Sequence, residues 1–145
     1  MREAAESTTV SREVELDATL DEVWSALTDP EELTAWLGAE VELDLRPAGG
    51  GRVVDRDGTV RDVLVTDVEP GRRLAWHWWD DRGELSSVEV TVEQLVDATR
   101  VRVMEVVAAS SPAAGTARAS ALTYRWSSRL GSLRAVRAGA PIAMR

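Results

Sequence analysis

Cysteine, lysine and phenylalanine are absent from this 145-residue chain, and histidine occurs once, as His77. Without cysteine there are no disulfides, thiolate nucleophiles or cysteine-ligated metals. Without lysine, no side chain of this protein can form a Schiff base. A lone histidine rules out a His-based zinc site, and the carboxylates show no spacing that would build a metal site from oxygen ligands alone. Neither a cofactor nor a metal is therefore expected. Long apolar runs are missing too, since none approaches the roughly 20 residues that span a bilayer. The first nine residues are polar and acidic, without the basic start and apolar stretch of a signal peptide, so a cytoplasmic location is expected.

Basic charge is also in short supply: 25 acidic against 17 basic residues give a net charge of −8. Nucleic acids and anionic membranes are bound largely through basic residues, so neither is an expected partner. Arg72-Arg73 is a pair at a turn and makes no basic cluster. Gly49-Gly50-Gly51-Arg52 lacks the Gly-Lys-Ser/Thr end of a P-loop and opens a strand rather than a helix. No Gly-x-Ser-x-Gly elbow occurs, which argues against a serine hydrolase of that type. Asp80-Asp81 reads as a turn pair rather than a catalytic dyad.

What is present is an ordinary globular composition, 44% hydrophobic and 29% charged, in a length suited to one core. A single domain over residues 1–145 is expected, its core about 10–138 with short flexible tails. Val10, Val14, Leu16 and Ala18 share one parity against Ser11, Glu13, Glu15 and Asp17, the pattern of a half-buried strand. Thr19 to Glu22 then forms a capping box, and Leu20, Val23, Trp24 and Leu27 follow at helical spacing. Asp29-Pro30-Glu31-Glu32 starts a second short helix with Leu33, Trp36 and Leu37 on its apolar face.

Strand patterns fill the middle of the chain. Val41, Leu43 and Leu45 alternate with acids and an arginine as far as the glycine run. A short strand over residues 52–55 turns at Asp57-Gly58. Residues 60–68 form a longer strand whose two faces both carry apolar residues, so parity does not orient it. Strands over 72–79, around Val88, Val90 and Val92, and around Val101 and Val103 follow, divided by turns at 80–83 and 97–98. The last segment places Ala119, Leu122, Trp126, Leu130, Leu133 and Val136 on one helical face, predicting a helix over 116–138 closed by Gly139 and Pro141. The fold class is α+β with an antiparallel sheet.

Facing is predicted next. Trp76, Trp78, Val88, Val90, Val92, Val101 and Val103 should face the last helix, leaving His77 solvated and Trp79 exposed as an apolar contact surface. Glu105 continues the parity of Val101 and Val103. A bare carboxylate in a dry core costs several kcal/mol, so a wet cavity, an arginine partner or an opened strand end must accommodate it. Six tryptophans and no phenylalanine make the large aromatic volume almost wholly indole. Trp24 reads as ordinary core. Trp36, Trp76, Trp78 and Trp126 carry N–H groups that want partners when buried, which suits a largely apolar pocket with a few polar points.

Five runs carry a family likeness. They are Glu22-Val23-Trp24-Ser25-Ala26-Leu27-Thr28-Asp29-Pro30 with Trp36; Leu43-Asp44-Leu45-Arg46-Pro47 with the glycines and Arg52; and residues 65–70 with Arg73-Leu74 and Trp78. Thr99-Arg100-Val101-Arg102-Val103-Met104-Glu105 and the Trp126-to-Leu133 stretch complete the set. Their order and spacing resemble the bacterial proteins named after the activator of the heat-shock-protein-90 ATPase, in the START-like (SRPBCC) superfamily. The resemblance spans about residues 10–137. It implies a helix-grip fold, in which a curved antiparallel sheet of about seven strands wraps the C-terminal helix and two short helices follow the first strand.

The resemblance further implies a non-catalytic binding domain whose cavity takes a small apolar or amphipathic molecule. Trp36, Trp76, Trp78, Val90, Val103, Glu105, Leu122 and Trp126 are the candidates to line it. No catalytic residue is assigned, so an enzyme is not the favoured reading. The alternative is a protein-interaction module, such as a chaperone accessory, a companion of a transcriptional regulator or a homodimer. A polyketide cyclase-like enzyme follows from superfamily membership alone.

Overall fold

The structure, a computed structural model, describes residues 7–82, 84–108 and 112–143. The chain runs β1 (Ser7–Leu16), α1 (Leu20–Thr28), α2 (Pro30–Trp36), β2 (Glu40–Leu43), β3 (Gly50–Val54), β4 (Val60–Glu69), β5 (Arg73–Trp79), β6 (Leu85–Gln94), β7 (Thr99–Ala108) and α3 (Pro112–Ala143). All seven strands join one antiparallel sheet in the order β1-β7-β6-β5-β4-β3-β2. The sheet curves around α3, whose Leu122, Trp126, Leu130 and Leu133 are buried on its inner face. This is the helix-grip arrangement. Among the described residues no helix is long and apolar enough to cross a membrane.

Local chemistry sets the two short helices. Thr19 accepts from the Glu22 N–H while the Glu22 carboxylate accepts from the Thr19 N–H, closing both ends of a capping box. Asp29 serves two helices at once: its N–H donates to Ser25 O at 2.8 Å, ending α1, and its carboxylate accepts from Glu31 N–H at 2.9 Å, starting α2. The extended backbone this requires, φ −68° and ψ 127°, is also what the following Pro30 imposes. The buried face of α1 is Val23, Ala26 and Leu27, with Leu20 and Trp24 half-buried at its margins.

β4 resolves the ambiguity of its sequence. The register slips between Val65 and Asp67, a bulge that leaves Thr66 unpaired. Before it Arg61, Val63 and Val65 point inward. Beyond it Val68 does, opposite the buried Leu74. One extra residue therefore puts apolar side chains at both parities. The segment between β2 and β3 docks at the same place: Ala48 N–H donates to Val65 O and Val65 N–H to Gly49 O. Leu45, read as strand, lies just past the end of β2 but still packs against the core.

Gly51 is required by the close approach of β2 to β3, because a Cβ there would lie 1.9 Å from Glu42 O and 2.7 Å from Leu43 Cα. Gly51→Ala should cost about 1–3 kcal/mol through forced backbone movement. Gly131→Ala, in an open position on α3, should gain about 0.5–1 kcal/mol. Thermal melting of the two variants should shift in opposite directions, and a stabilised Gly51→Ala would refute the contact.

α3 is longer than its sequence predicts. It begins at Pro112, where the missing proline N–H is harmless in a first turn, and runs past Gly139 and Pro141 to Ala143. The stop signals are local tendencies, and here the helix outlasts them. The side chain of Val136 lies outside the described residues.

Candidate functional site

Glu105 is 2% exposed and sits where three strands and α3 meet. Its Oε2 accepts from Trp78 Nε1 at 2.8 Å and from Ser86 Oγ at 2.5 Å; its Oε1 accepts from Trp126 Nε1 at 2.7 Å. Register explains the convergence. Trp78 pairs with Ser86 across β5 and β6, while Ser86 and Val88 pair with Val107 and Glu105 across β6 and β7. All five side chains thus share the inner face. Trp126 reaches the same carboxylate from α3. The acid is not exposed, and among the described residues no arginine pairs with it directly: two indoles and a hydroxyl hold it, and bonds to a charged acceptor are stronger than neutral ones.

The rings themselves are packed. Trp78 stacks on Trp126 with centroids 6.1 Å apart and an interplanar angle of 23°, and Trp76 meets Trp78 edge-on at 5.7 Å. Arg129 lies over both stacked rings, its Cζ 4.5 Å from the Trp126 centroid and 5.2 Å from that of Trp78. Arg61 covers Trp78 at 4.9 Å.

Arg129 is itself buried. It donates from Nε to Leu37 O at 3.2 Å and from Nη2 to Asp55 Oδ1 at 2.9 Å. Burial lowers the Arg129 pKa below the ordinary arginine value, opposed by the charge and hydrogen bond of Asp55. Asp55 also accepts from Arg61 and lies 3.9 Å from Arg125, so one buried carboxylate faces three guanidinium groups.

A cavity of about 610 Å³ opens beside this cluster. Ser86, Glu105 and Val107 form its floor, Ala121, Leu122 and Arg125 of α3 one wall, and residues 58–61 another. Asp80, Asp81, Arg82 and Glu84 of the β5–β6 turn stand at the remaining side. A second groove of about 280 Å³ crosses α3 beside Leu37, Asp55, Tyr124 and Arg129.

Of the eight residues expected around a cavity, the structure brings Glu105 and Leu122 to its wall. Trp36, Trp76, Trp78, Val90, Val103 and Trp126 instead fill the core between sheet and helix. The stacked rings occupy the space that a central pocket would need, and the cavity is displaced toward the β3–β4 and β5–β6 turns. Its walls are accordingly more polar than expected. The indoles of Trp78 and Trp126 find a partner in Glu105, whereas those of Trp36 and Trp76 have none among the described residues.

The inner face carries Trp76, Trp78, Val88, Val90, Val92, Val101 and Val103 as anticipated. His77 and Trp79 are on the outer face. Both were expected to be exposed and both are half-buried, Trp79 flanked across the strands by Asp62 and Leu85 and His77 by Leu64 and Ser87. The exposed apolar residues there are Leu64 and Leu85. Among the described residues no group of three or more His, Asp or Glu side chains could hold a metal.

Sequence reasoning missed Arg61, Ser86, Asp55 and Arg129, although the signal was there. Arg61 shares parity with Val63 and Val65, Ser86 with Val88 and Val90, and Asp55 with Val53. Arg129 falls one turn after Trp126 on the apolar stripe. A polar residue at a core position of a periodic pattern marks a buried polar group.

Residues 17–137 match the family model described as Activator of Hsp90 ATPase homolog 1-like protein. The chain belongs to this family. Solved structures similar to this family member include DynU16, a protein of the dynemicin biosynthetic locus, at 28% identity and a TM-score of 0.78 over 88% of this chain. The match covers 46% of DynU16, so the chain spans about half the length of that relative. CalU16 from Micromonospora echinospora is 25% identical with a TM-score of 0.69, covering 92% of this chain and 83% of its own. The Aha1 dimer from Colwellia psychrerythraea shares the fold, with a TM-score of 0.72 at 16% identity over 90% of this chain and 96% of that one. No curated protein matches the chain.

Proposed function

We propose that this protein binds a small amphipathic molecule in the cavity beside Glu105, without catalysing a reaction. One observation carries the proposal: a buried carboxylate, fixed by three donors from three elements, forms part of the floor of a 610 Å³ cavity. That volume is typical of small-molecule sites, while the walls here carry more polar than apolar surface. Val60, Val107 and Leu122 supply the apolar part, where burial contributes about 25 cal/mol per Å² before the costs of binding. In this proposal residues 10–138 act as one cytoplasmic binding domain.

A second reading, a protein-interaction module, draws on the outer face. Leu64 and Leu85 are 41% and 54% exposed there, beside the half-buried His77 and Trp79.

Tryptophan fluorescence separates the two readings. Trp78 and Trp126 share Glu105 with the cavity, so a ligand that bonds Glu105 alters their surroundings. A panel of aromatic and aliphatic amines, alcohols and acids should include compounds that change emission saturably. Ala121→Leu, which adds volume at the cavity wall without touching the core, should weaken that binding at least about tenfold by occlusion. If no compound saturates the signal, small-molecule binding is excluded and protein contact takes its place.

A further inference from the structure

We infer that the cavity selects a cation, a protonated amine carried on an apolar body. This rests on the binding proposal above and names its ligand class. The starting point is the charge at the floor. Glu105 is 2% exposed, yet all its partners are neutral donors: two indole N–H groups and one hydroxyl. The nearby cations make their hydrogen bonds elsewhere, although the charges of Arg129 and Glu105 act on each other through space. Arg129 bonds Leu37 O and Asp55, Arg61 bonds Asp55, and Arg125 bonds Asp57 at 3.1 Å. Among the described residues, no cation bonds Glu105. Buried ions are expensive unless a counter-ion offsets the lost hydration, and the open side of Glu105 is the cavity.

Proton accounting narrows the class further. The single Ser86 hydroxyl proton points to Glu105, so Ser86 Oγ is left to accept, and a carboxylate can only accept. The two polar side chains of the floor therefore both ask for donors. An alcohol has one proton to give. An ammonium group has up to three and would put a positive charge in direct contact with the carboxylate. At the floor itself an anionic head group meets the acceptors Ser86 and Glu105, which is repulsive discrimination, and the cations it could reach are Arg61, Arg82 and Arg125 at the walls.

The rest of the cavity agrees. Asp80 and Asp81 stand at the wall with Glu84 and Arg82. Of the two arginines nearer the floor, Arg125 bonds Asp57 and Arg61 shares Asp55 with Arg129; neither acid is part of this cavity's wall. A net charge of −8 favours the approach of cations over anions.

Three ligands with one ring system test the inference: 2-naphthylmethylamine, 2-naphthylmethanol and 2-naphthoate, titrated calorimetrically at pH 7 in low and high salt. The amine should bind about tenfold more tightly than the alcohol, the difference between charged and neutral hydrogen bonds. Naphthoate should bind weakest, and salt should weaken the amine alone. Glu105→Gln should erase the preference for amine over alcohol. Asp81→Asn, at an exposed turn and harmless to the core, should reduce amine affinity severalfold while leaving the alcohol unchanged. If alcohol and amine bind equally, or naphthoate binds best, the inference is overturned while the binding proposal stands. If none of the three binds, and no member of the wider panel does, both fall.

Discussion

Asp55→Ala is expected to lower the unfolding free energy by about 3–5 kcal/mol, because it strands a buried cation. Asp55 and Arg129 are 9% and 7% exposed, and among the described residues the carboxylate is the only acidic partner bonded to Arg129. Without it the guanidinium keeps the Leu37 carbonyl and the faces of Trp78 and Trp126. Those contacts do not replace a counter-ion. Urea denaturation at two salt concentrations checks this prediction. The loss should be almost insensitive to salt, since buried pairs are poorly screened. Adding Arg129→Met to the alanine variant should recover part of the loss, because the orphaned charge is then gone. A loss below about 1 kcal/mol, the range of exposed ion pairs, would show that water reaches the cluster. For a domain whose total stability is about 5–15 kcal/mol, the predicted cost approaches unfolding.

Trp126→Ala should cost a similar amount, about 3–5 kcal/mol, by a different route. The indole is 1% exposed and stacks on Trp78 beneath Arg129. Its removal opens a void and takes one of the three donors from Glu105. Trp126→Phe separates these effects. The phenyl ring restores most of the volume, so that variant should lose only about 1–3 kcal/mol, the penalty of an acceptor left one bond short. Guanidinium titrations followed by circular dichroism measure both. If the alanine variant is no less stable than the phenylalanine variant, packing contributes nothing and the ring stack is not what holds α3 to the sheet.

Much of this fold was legible because its signals are local. The capping box at Thr19, the start of α2 at Asp29-Pro30, the alternation in β5 to β7 and the helical stripe of Leu122, Trp126, Leu130 and Leu133 each follow from periods of 2 or 3.6 residues. Those periods act within a few residues and need no knowledge of the rest of the chain. They also put Glu105 on the face of Val101 and Val103, and left open whether a cavity, an arginine or an opened strand end would accommodate it. What the sequence by itself determined was therefore the set of elements, the facing of all but β4, and the family likeness.

Only the tertiary structure decided how those faces were filled. The β4 bulge, which depends on residues 48–49 bonding Val65, made both parities of that strand apolar. The counter-ion of Arg129 lies 74 residues away, and the donors that hold Glu105 lie 19, 21 and 27 residues away. No local period reaches across such separations. The cavity was the least legible feature for the same reason. Its place depends on Trp78 and Trp126 stacking face to face and closing the space between sheet and helix, and a pocket exists only where packed side chains leave room.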